Sequence, residues 1–352
     1  MTQKNRNVLA TLKDVALKAG VSIKTVSNVI HGNVPVKEEK RQRVMAAVEE
    51  LHYQPNLPAR FLRKGRVDVI ALAIPDLSNS YFSDIGDAVI DAASASSYTV
   101  LIDHTRGERT NESLVIHGLR PHLIDGVILS PAALELEDFQ TLPVNIPLVL
   151  LGERFLDMPD VPYDHIGIDN VAAARVATSH LIEMGRRRIA AIGAHEVLPG
   201  EISHLRLRGY TEALAAAHLP FDPQLVVQAR SYHRADGEGA ACQLLKLEQI
   251  PDAIFCFNDL LALGVLRALH EAGLRVPEDV AVVGFDDIED GRYSIPSLTT
   301  IRPDKKRIGE LAVACLLKRI DSTCTDPAER VDVPFQLIVR ESTLGRGKAS
   351  EF

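Results

Sequence analysis

A chain of 352 residues with 46% apolar side chains and mean hydropathy +0.03 is long enough for two or three folded domains and too apolar to be disordered. It holds 39 basic and 47 acidic residues, a net charge of −8, yet residues 1–66 carry 13 basic and 5 acidic side chains, so a positive head precedes an acidic remainder. The opening MTQKNRNV has no apolar signal region, no run approaches the ~18 apolar residues of a membrane span, and Cys242, Cys256, Cys315 and Cys324 form no CxxC; these features predict a cytoplasmic protein with reduced thiols, no metal framework and no membrane partner.

In TLKDVALKAGVSIKTVSNVIHG, residues 11–32, Thr11 is placed to cap a helix over about 12–18, with Leu12, Val15 and Ala16 on one face. Gly20 gives the turn its backbone freedom, and Ser22 opens a second helix over about 23–30 that buries Val26, Val29 and Ile30. A third helix near 38–51 repeats the spacing with Val44, Ala47, Val48 and Leu51. Three short helices with a glycine turn between the first two make a helix-turn-helix module. The second helix is the candidate reader of bases. Lys24 can donate to guanine, Asn28 can pair with adenine, and Ile23 can touch a thymine methyl. Thr11, Ser22, Thr25 and Ser27 suit phosphate oxygens, and His31, Lys37 and Tyr53 are counted with them. The competing reading makes Ser22 only a cap and Lys24 only a solvated charge.

The stretch LHYQPNLPARFLRKGR covers residues 51–66. Residues 57–64 suffice for about two helical turns, and an isolated helix that short is unstable in water, where ~12–15 residues are marginal. Arg60, Arg63, Lys64 and Arg66 suggest that nucleic acid supplies the surface on which it folds.

From residue 68 on, apolar runs alternate with helical patterns: VDVIALAIPDLSNSYF, YTVLIDHT, IDGVILSPAA and IPLVLLGERF, then RRRIAAIGA, PDAIFCFND and VAVVGFDD. The alternation predicts an α/β fold of two doubly wound, Rossmann-like lobes in series, with a ligand cleft at the carboxyl ends of their strands. GEGAAC at 237–242 is a broken GxGxxG without a preceding strand and reads as a helix start. No GxxxxGK[ST], HExxH or GxSxG occurs and the histidines do not cluster, so no catalysis, cofactor or metal site is expected.

The head resembles the LacI/GalR family of bacterial transcription regulators. The resemblance rests on the 11–32 stretch, VKEEKRQRV at 36–44, LHYQPN and ARFL. Nearly all of 68–345 resembles that family's effector core, itself similar to periplasmic sugar-binding proteins, through IPDLSNSYFSDI, IDNVAAARVATSHLIEMGRRRIAAIG, RLRGYTEAL, CFNDLLALGVLRAL, GLRVPEDVAVVGFDDIEDGRYSIPSLTTIR and LIVRES. The resemblance implies a head at 1–55 and a hinge helix at 56–66 that folds on DNA. In that hinge Leu62 wedges into the minor groove, Ala59 lets two hinge helices touch, and Arg60 lies beside them. It also implies three crossings between lobes, giving a first lobe of 67–169 and 301–329, a second of 170–300 and 330–345, and a tail of 346–352. Arg206, Asn258 and Asp286 match the polar anchors of the effector site, and Tyr81 and Phe82 match residues that stack on a ring. A guanidinium fork, a carboxylate and an amide suit a ligand with donors and acceptors at fixed spacing. The competing readings are an Asp286–Arg206 pair across the cleft, and Tyr81 and Phe82 as core. Asp259 reads as a helix cap, Asp76 as a cap of its loop, and Glu153 and Arg154 as a border of the site. The chain departs from the family at Lys37 and Lys40, usually Ser/Thr, at Pro58, and at Pro303, where a glutamine is frequent.

These readings describe a homodimeric repressor that binds a near-palindromic operator and is controlled by a small effector, a sugar or sugar derivative. The alternatives are a purine- or nucleoside-responsive regulator and a solute-binding protein without DNA function. TLGRGKASEF at the end has too few apolar residues for a coiled coil, which argues against a tetramer.

Overall fold

The computed structural model describes residues 10–31, 35–53, 66–117, 123–140, 146–152, 163–194, 202–229, 231–321 and 327–345. Two compact units appear, residues 1–67 and 68–352.

The first unit contains α1 (Leu12–Ala19), α2 (Ile23–His31) and α3 (Glu38–Glu50). Thr11 caps α1 in a reciprocal box. Its hydroxyl accepts from the Asp14 N–H at 3.3 Å, and its own N–H donates to Asp14 Oδ2 at 2.8 Å. Gly20 takes φ 63°, and Arg43 of α3 donates to the Ala19 and Gly20 carbonyls, tying the third helix to the turn. The core is Val15, Ala16, Ala19, Val26, Val44, Ala47 and Tyr53.

The second unit has two six-stranded sheets. In chain order its elements are β1 (Val69–Ile74), α4 (Ser80–Ala95), β2 (Thr99–His104), α5 (Arg109–Ile116), β3 (Gly126–Leu129), α6 (Leu136–Gln140), β4 (Leu148–Leu151), β5 (Asp164–Gly167), α7 (Asn170–Glu183), β6 (Ile189–Ala194), α8 (Ile202–Ala216), β7 (Val226–Gln228), α9 (Arg234–Leu244), β8 (Ala253–Cys256), α10 (Asp259–Glu271), β9 (Ala281–Phe285), α11 (Glu289–Arg292), β10 (Thr299–Pro303), α12 (Lys305–Ile320), β11 (Arg330–Asp332), β12 (Phe335–Ile338) and α13 (Glu341–Leu344). Lobe one orders its strands β11-β5-β4-β3-β1-β2, all parallel, and lobe two β12-β10-β9-β8-β6-β7, with only β12 antiparallel. Both faces of the central strands are covered, which is why they read as unbroken apolar runs. In β1, Ile70, Leu72 and Ile74 face one cluster while Ala71 and Ala73 face another.

The lobes are joined at 168–169, at 304 and at 333–334, where Asp304 N–H donates to Pro334 O at 3.1 Å and Val333 N–H to Gly167 O at 2.7 Å. Two expected boundaries shift. Residues 301–303 complete β10 in lobe two, and 330–332 form an edge strand of lobe one, because each pairs in register with its own sheet. GEGAAC lies inside α9, which starts at Arg234, and a Cβ at Gly237 would meet the α10 backbone at Leu261, so Gly237 serves close helix packing. The short strand DHIG at 164–167 was not foreseen.

A buried ion pair fixes α12 to lobe one. Asp164, 3% exposed, accepts from Arg319 Nε at 2.8 Å and NH2 at 2.7 Å and from the Glu329 N–H at 2.7 Å. Arg319→Ala leaves that carboxylate without its cation. The expected loss is roughly 3–5 kcal/mol of unfolding free energy, read by urea denaturation of the full chain; a loss below about 1 kcal/mol, the scale of an exposed pair, would show that solvent already screens it.

Candidate functional site

The outward face of α2 presents Ile23 at 48% exposure and an exposed Lys24, with Asn28 half-buried one turn further on, while Val26 is completely buried behind them. This is the disposition a groove-reading helix needs: a small apolar anchor inward and long polar groups outward. Ser22 caps α2, accepting from the Thr25 N–H at 3.2 Å, with the two hydroxyls 2.9 Å apart. Thr11 is exposed but its hydroxyl is engaged with Asp14. Thr25 and Ser27 are half-buried, and Lys37 is exposed at the start of α3. The Tyr53 ring, 8% exposed, packs in the core and closes the bundle beyond α3. The His31 side chain and residues Ala59, Arg60, Leu62, Glu153 and Arg154 lie outside the described residues.

In the second unit a cavity of about 70 Å³ opens between the lobes. Lobe one contributes Tyr81 and Phe82 from the first turn of α4, an edge-on pair with centroids 5.3 Å apart, and Ser130 after β3. Their helix is capped by Asn79, which accepts from the Tyr81 N–H at 3.0 Å; Asp76 instead closes its own turn on Ser78 and faces His233 of lobe two at 3.3 Å. Lobe two contributes Arg206 from α8, Asn170 from α7, and Phe285 and Asp286 at the end of β9. Arg206 is 8% exposed and over-determined: Nε donates to Asn170 Oδ1 at 2.7 Å, NH1 to the Phe257 carbonyl, and the guanidinium lies 3.4 Å from the Phe285 ring centroid. The cavity therefore has a flat cationic donor on one wall and aromatic edges on the other.

Asp286 carries the strongest electrostatic signal of the cavity. Burial pushes its carboxyl up to about 7; Arg206 and Lys305 pull it down and Asp84 opposes them. Its backbone and that of Asp287 have φ 111° and 49°. This turn is held from inside by Asp259, fully buried, which accepts from the Ile288 N–H at 2.9 Å and the Thr300 hydroxyl at 2.6 Å. Outside, Arg302 Nε at 2.5 Å and Arg340 NH2 at 2.6 Å grip the Asp287 carboxylate; burial would raise it, and these two partners hold it low.

Two expectations change. Asp259 is not a cap. Asn258 is: it accepts from the Leu261 N–H at 2.8 Å and donates to the Tyr232 carbonyl at 3.0 Å, so the cap and that carbonyl engage both ends of its amide, and it does not line the cavity. Asn170, Phe285 and Ser130 were missed. Asn170 stands in IDN, after the aspartate that caps α7, where a polar residue reads as part of a helix start; only the fold shows it aimed at Arg206. Pro303 lines the cavity as well.

Residues 11–56 match the family described as bacterial regulatory proteins, lacI family, and residues 178–343 match the periplasmic binding protein-like domain. The ribose operon repressor of Halalkalibacterium halodurans is 36% identical over 344 residues, covering 97% of this chain and 99% of the relative. The chain belongs to the LacI family. The transcriptional repressor CytR of Escherichia coli K12 is 34% identical over 343 residues, 97% of this LacI-family chain and 99% of CytR. Among solved structures, the lac repressor dimer bound to operator and the anti-inducer ONPF superimposes with TM-score 0.81 at 29% identity, covering 95% of this chain and 99% of that one. The CelR–cellobiose complex gives 0.70 at 32% identity, with coverage of 95% and 99%. The ribose operon repressor, CytR and the lac repressor are repressors, CelR is a transcriptional regulator, and this chain has both a helix-turn-helix head and a periplasmic-binding-protein-like core. Among the described residues no helix is long and apolar enough to cross a membrane.

Proposed function

We propose that this LacI-family regulator is a cytoplasmic, homodimeric repressor without catalytic activity. Its α2 reads the half-sites of a near-palindromic operator, and a sugar or sugar derivative bound between the lobes controls it. The observation that carries the effector reading is the interlobe cavity, lined by Arg206 and Asp286 from lobe two and by Tyr81 and Phe82 from lobe one. Donor and acceptor on one side and aromatic carbon on the other suit a sugar, which is polar at its rim and apolar on its ring faces. The same aromatic pair favours a second reading, a purine or nucleoside. Dimerisation draws support from the exposed Tyr293 (71%) and Ile295 (78%) on lobe two and from β2, an edge strand of lobe one with Ile102 outward.

The test has two arms. DNA selected from a random pool by the full chain is expected to be a near-palindrome. Lys24→Ala should relax base preference at one position per half-site, costing about 1–3 kcal/mol of discrimination; a uniform weakening across sequences would make Lys24 a phosphate contact instead. Leu62→Ala should weaken binding to the same DNA. The second arm is a thermal-shift panel of ribose, cellobiose, adenosine and hypoxanthine, since a ligand at 100 times its Kd stabilises by about 2.7 kcal/mol. A hit that also shifts DNA binding supports the reading. Selection of no preferred sequence would remove the DNA half of it.

A further inference from the structure

We infer that Lys305 is a positioning residue that passes the state of the interlobe cavity from lobe two to helix α4 of lobe one, through the peptide joining Asp287 to Ile288. The inference rests on the reading of that cavity as the effector site.

The geometry starts at a single peptide plane. The Ile288 N–H of that peptide is fixed inside lobe two by the buried Asp259 carboxyl group, whose ionisation burial and Asp286 oppose, at 2.9 Å. Its other end, the Asp287 carbonyl, accepts from Lys305 Nζ at 3.0 Å. Because a peptide is planar and stiff, the two ends cannot turn independently. Lys305 is the first residue of α12, on lobe one, and its side chain is only 15% exposed. The same ammonium pairs with Asp84 on α4, one turn beyond the cavity residues Tyr81 and Phe82. The two helices are in close contact: a Cβ on Gly309 of α12 would come within 2.7 Å of Ala88 on α4.

The turn is restrained everywhere except toward the cavity. Asp259 and Thr300 hold it from within, and Arg302 and Arg340 hold the Asp287 carboxylate. What remains to move it is Asp286, which lines the cavity and directly precedes the residue whose carbonyl Lys305 holds. An ionised Asp286 competes with Asp84 for the ammonium. When a ligand donor or a neutral side chain satisfies Asp286, Lys305 goes more fully to Asp84 and tightens the start of α4. Asp76 with His233 and Ser80 with Asp290 also link the lobes, but neither contact includes a cation as buried as Lys305, 15% exposed against 40% for His233.

The experiment is amide hydrogen exchange by mass spectrometry on the full chain at pH 7.5, with no ligand, reading peptides within residues 80–95. Asp286→Asn should slow exchange in the first two turns of α4 by about fivefold or more, the low end of ordinary coupling between sites. In the Lys305→Met background the same substitution should leave exchange there unchanged, and Lys305→Arg should restore part of the response. Asp84→Asn, at a more exposed position, should abolish it independently, which covers a failure of Lys305→Met to fold. An equal response to Asp286→Asn with and without Lys305, or no response in wild type, would overturn the relay. Either result leaves the ligand reading to be decided by the thermal-shift panel.

Discussion

Asp286→Asn should raise the stability of the chain at neutral pH and flatten its pH dependence between about 4 and 7. The sign follows from the direction of the shift. Folding lifts this carboxyl from 3.8 to about 7, so between those values the folded state binds the extra proton. Wild-type stability is therefore highest below about pH 4 with respect to this group, falls as pH rises, and reaches its full loss above about 7. At roughly 1.4 kcal/mol per pH unit, the penalty approaches ~4 kcal/mol as an upper bound. Asparagine has no such titration. Urea unfolding of both proteins from pH 4 to 8 should show two curves that meet at the acid end and separate by a few kcal/mol at neutrality. Parallel curves would mean that water or Arg206 already compensates the charge.

Arg206→Ala should act in the opposite direction and remove the ligand response. Arg206 is the cation that most lowers the Asp286 carboxyl against its burial, and it supplies donors to Asn170 and to the Phe257 carbonyl. Its loss leaves two buried acceptors unsatisfied and a buried carboxyl without its counter-charge, an expected destabilisation of roughly 3–5 kcal/mol. Arg206→Lys keeps the charge but not the fork or the stacking on Phe285, so it should recover stability in part and the ligand response little. The double variant Arg206→Ala with Asp286→Asn should be more stable than Arg206→Ala alone, since the orphaned charge is gone. Thermal melts with and without the hit from the ligand panel check all three. Full ligand-induced stabilisation in Arg206→Ala would place the binding site elsewhere.

The helix-turn-helix head was readable because each local signal agreed with its neighbours: the Thr11 box, Gly20 at positive φ, and the 3–4 spacing of Val15, Ala16, Val26 and Val44 all point to one small bundle. The packing of the Tyr53 ring was less legible, because a tyrosine at the end of a basic segment reads equally well as a polar contact or as core. In the sensor the two-lobed α/β organisation was readable from alternating runs. Strand DHIG was not, since four residues with one aspartate and one histidine carry no periodic signal, and their burial depends on Arg319, 155 residues away. The cavity divides the same way. Arg206, Asp286, Tyr81 and Phe82 come from motifs with recognisable chemistry. The Asn258 cap was not anticipated and Asn170 was missed because both are asparagines at helix starts, and sequence does not say which of the two amides is spent on a cap.

The three joins at 168–169, 304 and 333–334 also govern the order of assembly. Neither sheet is built from one continuous stretch: lobe one waits for α12 and β11, and lobe two for β12 and α13. During synthesis the ribosome must release nearly the whole polypeptide before either half can close its core, whereas the small head needs only its first fifty or so residues. A nascent chain stalled near residue 300 would thus present a finished reading head tethered to an unfinished sensor, and would depend on chaperones until the last strands arrive.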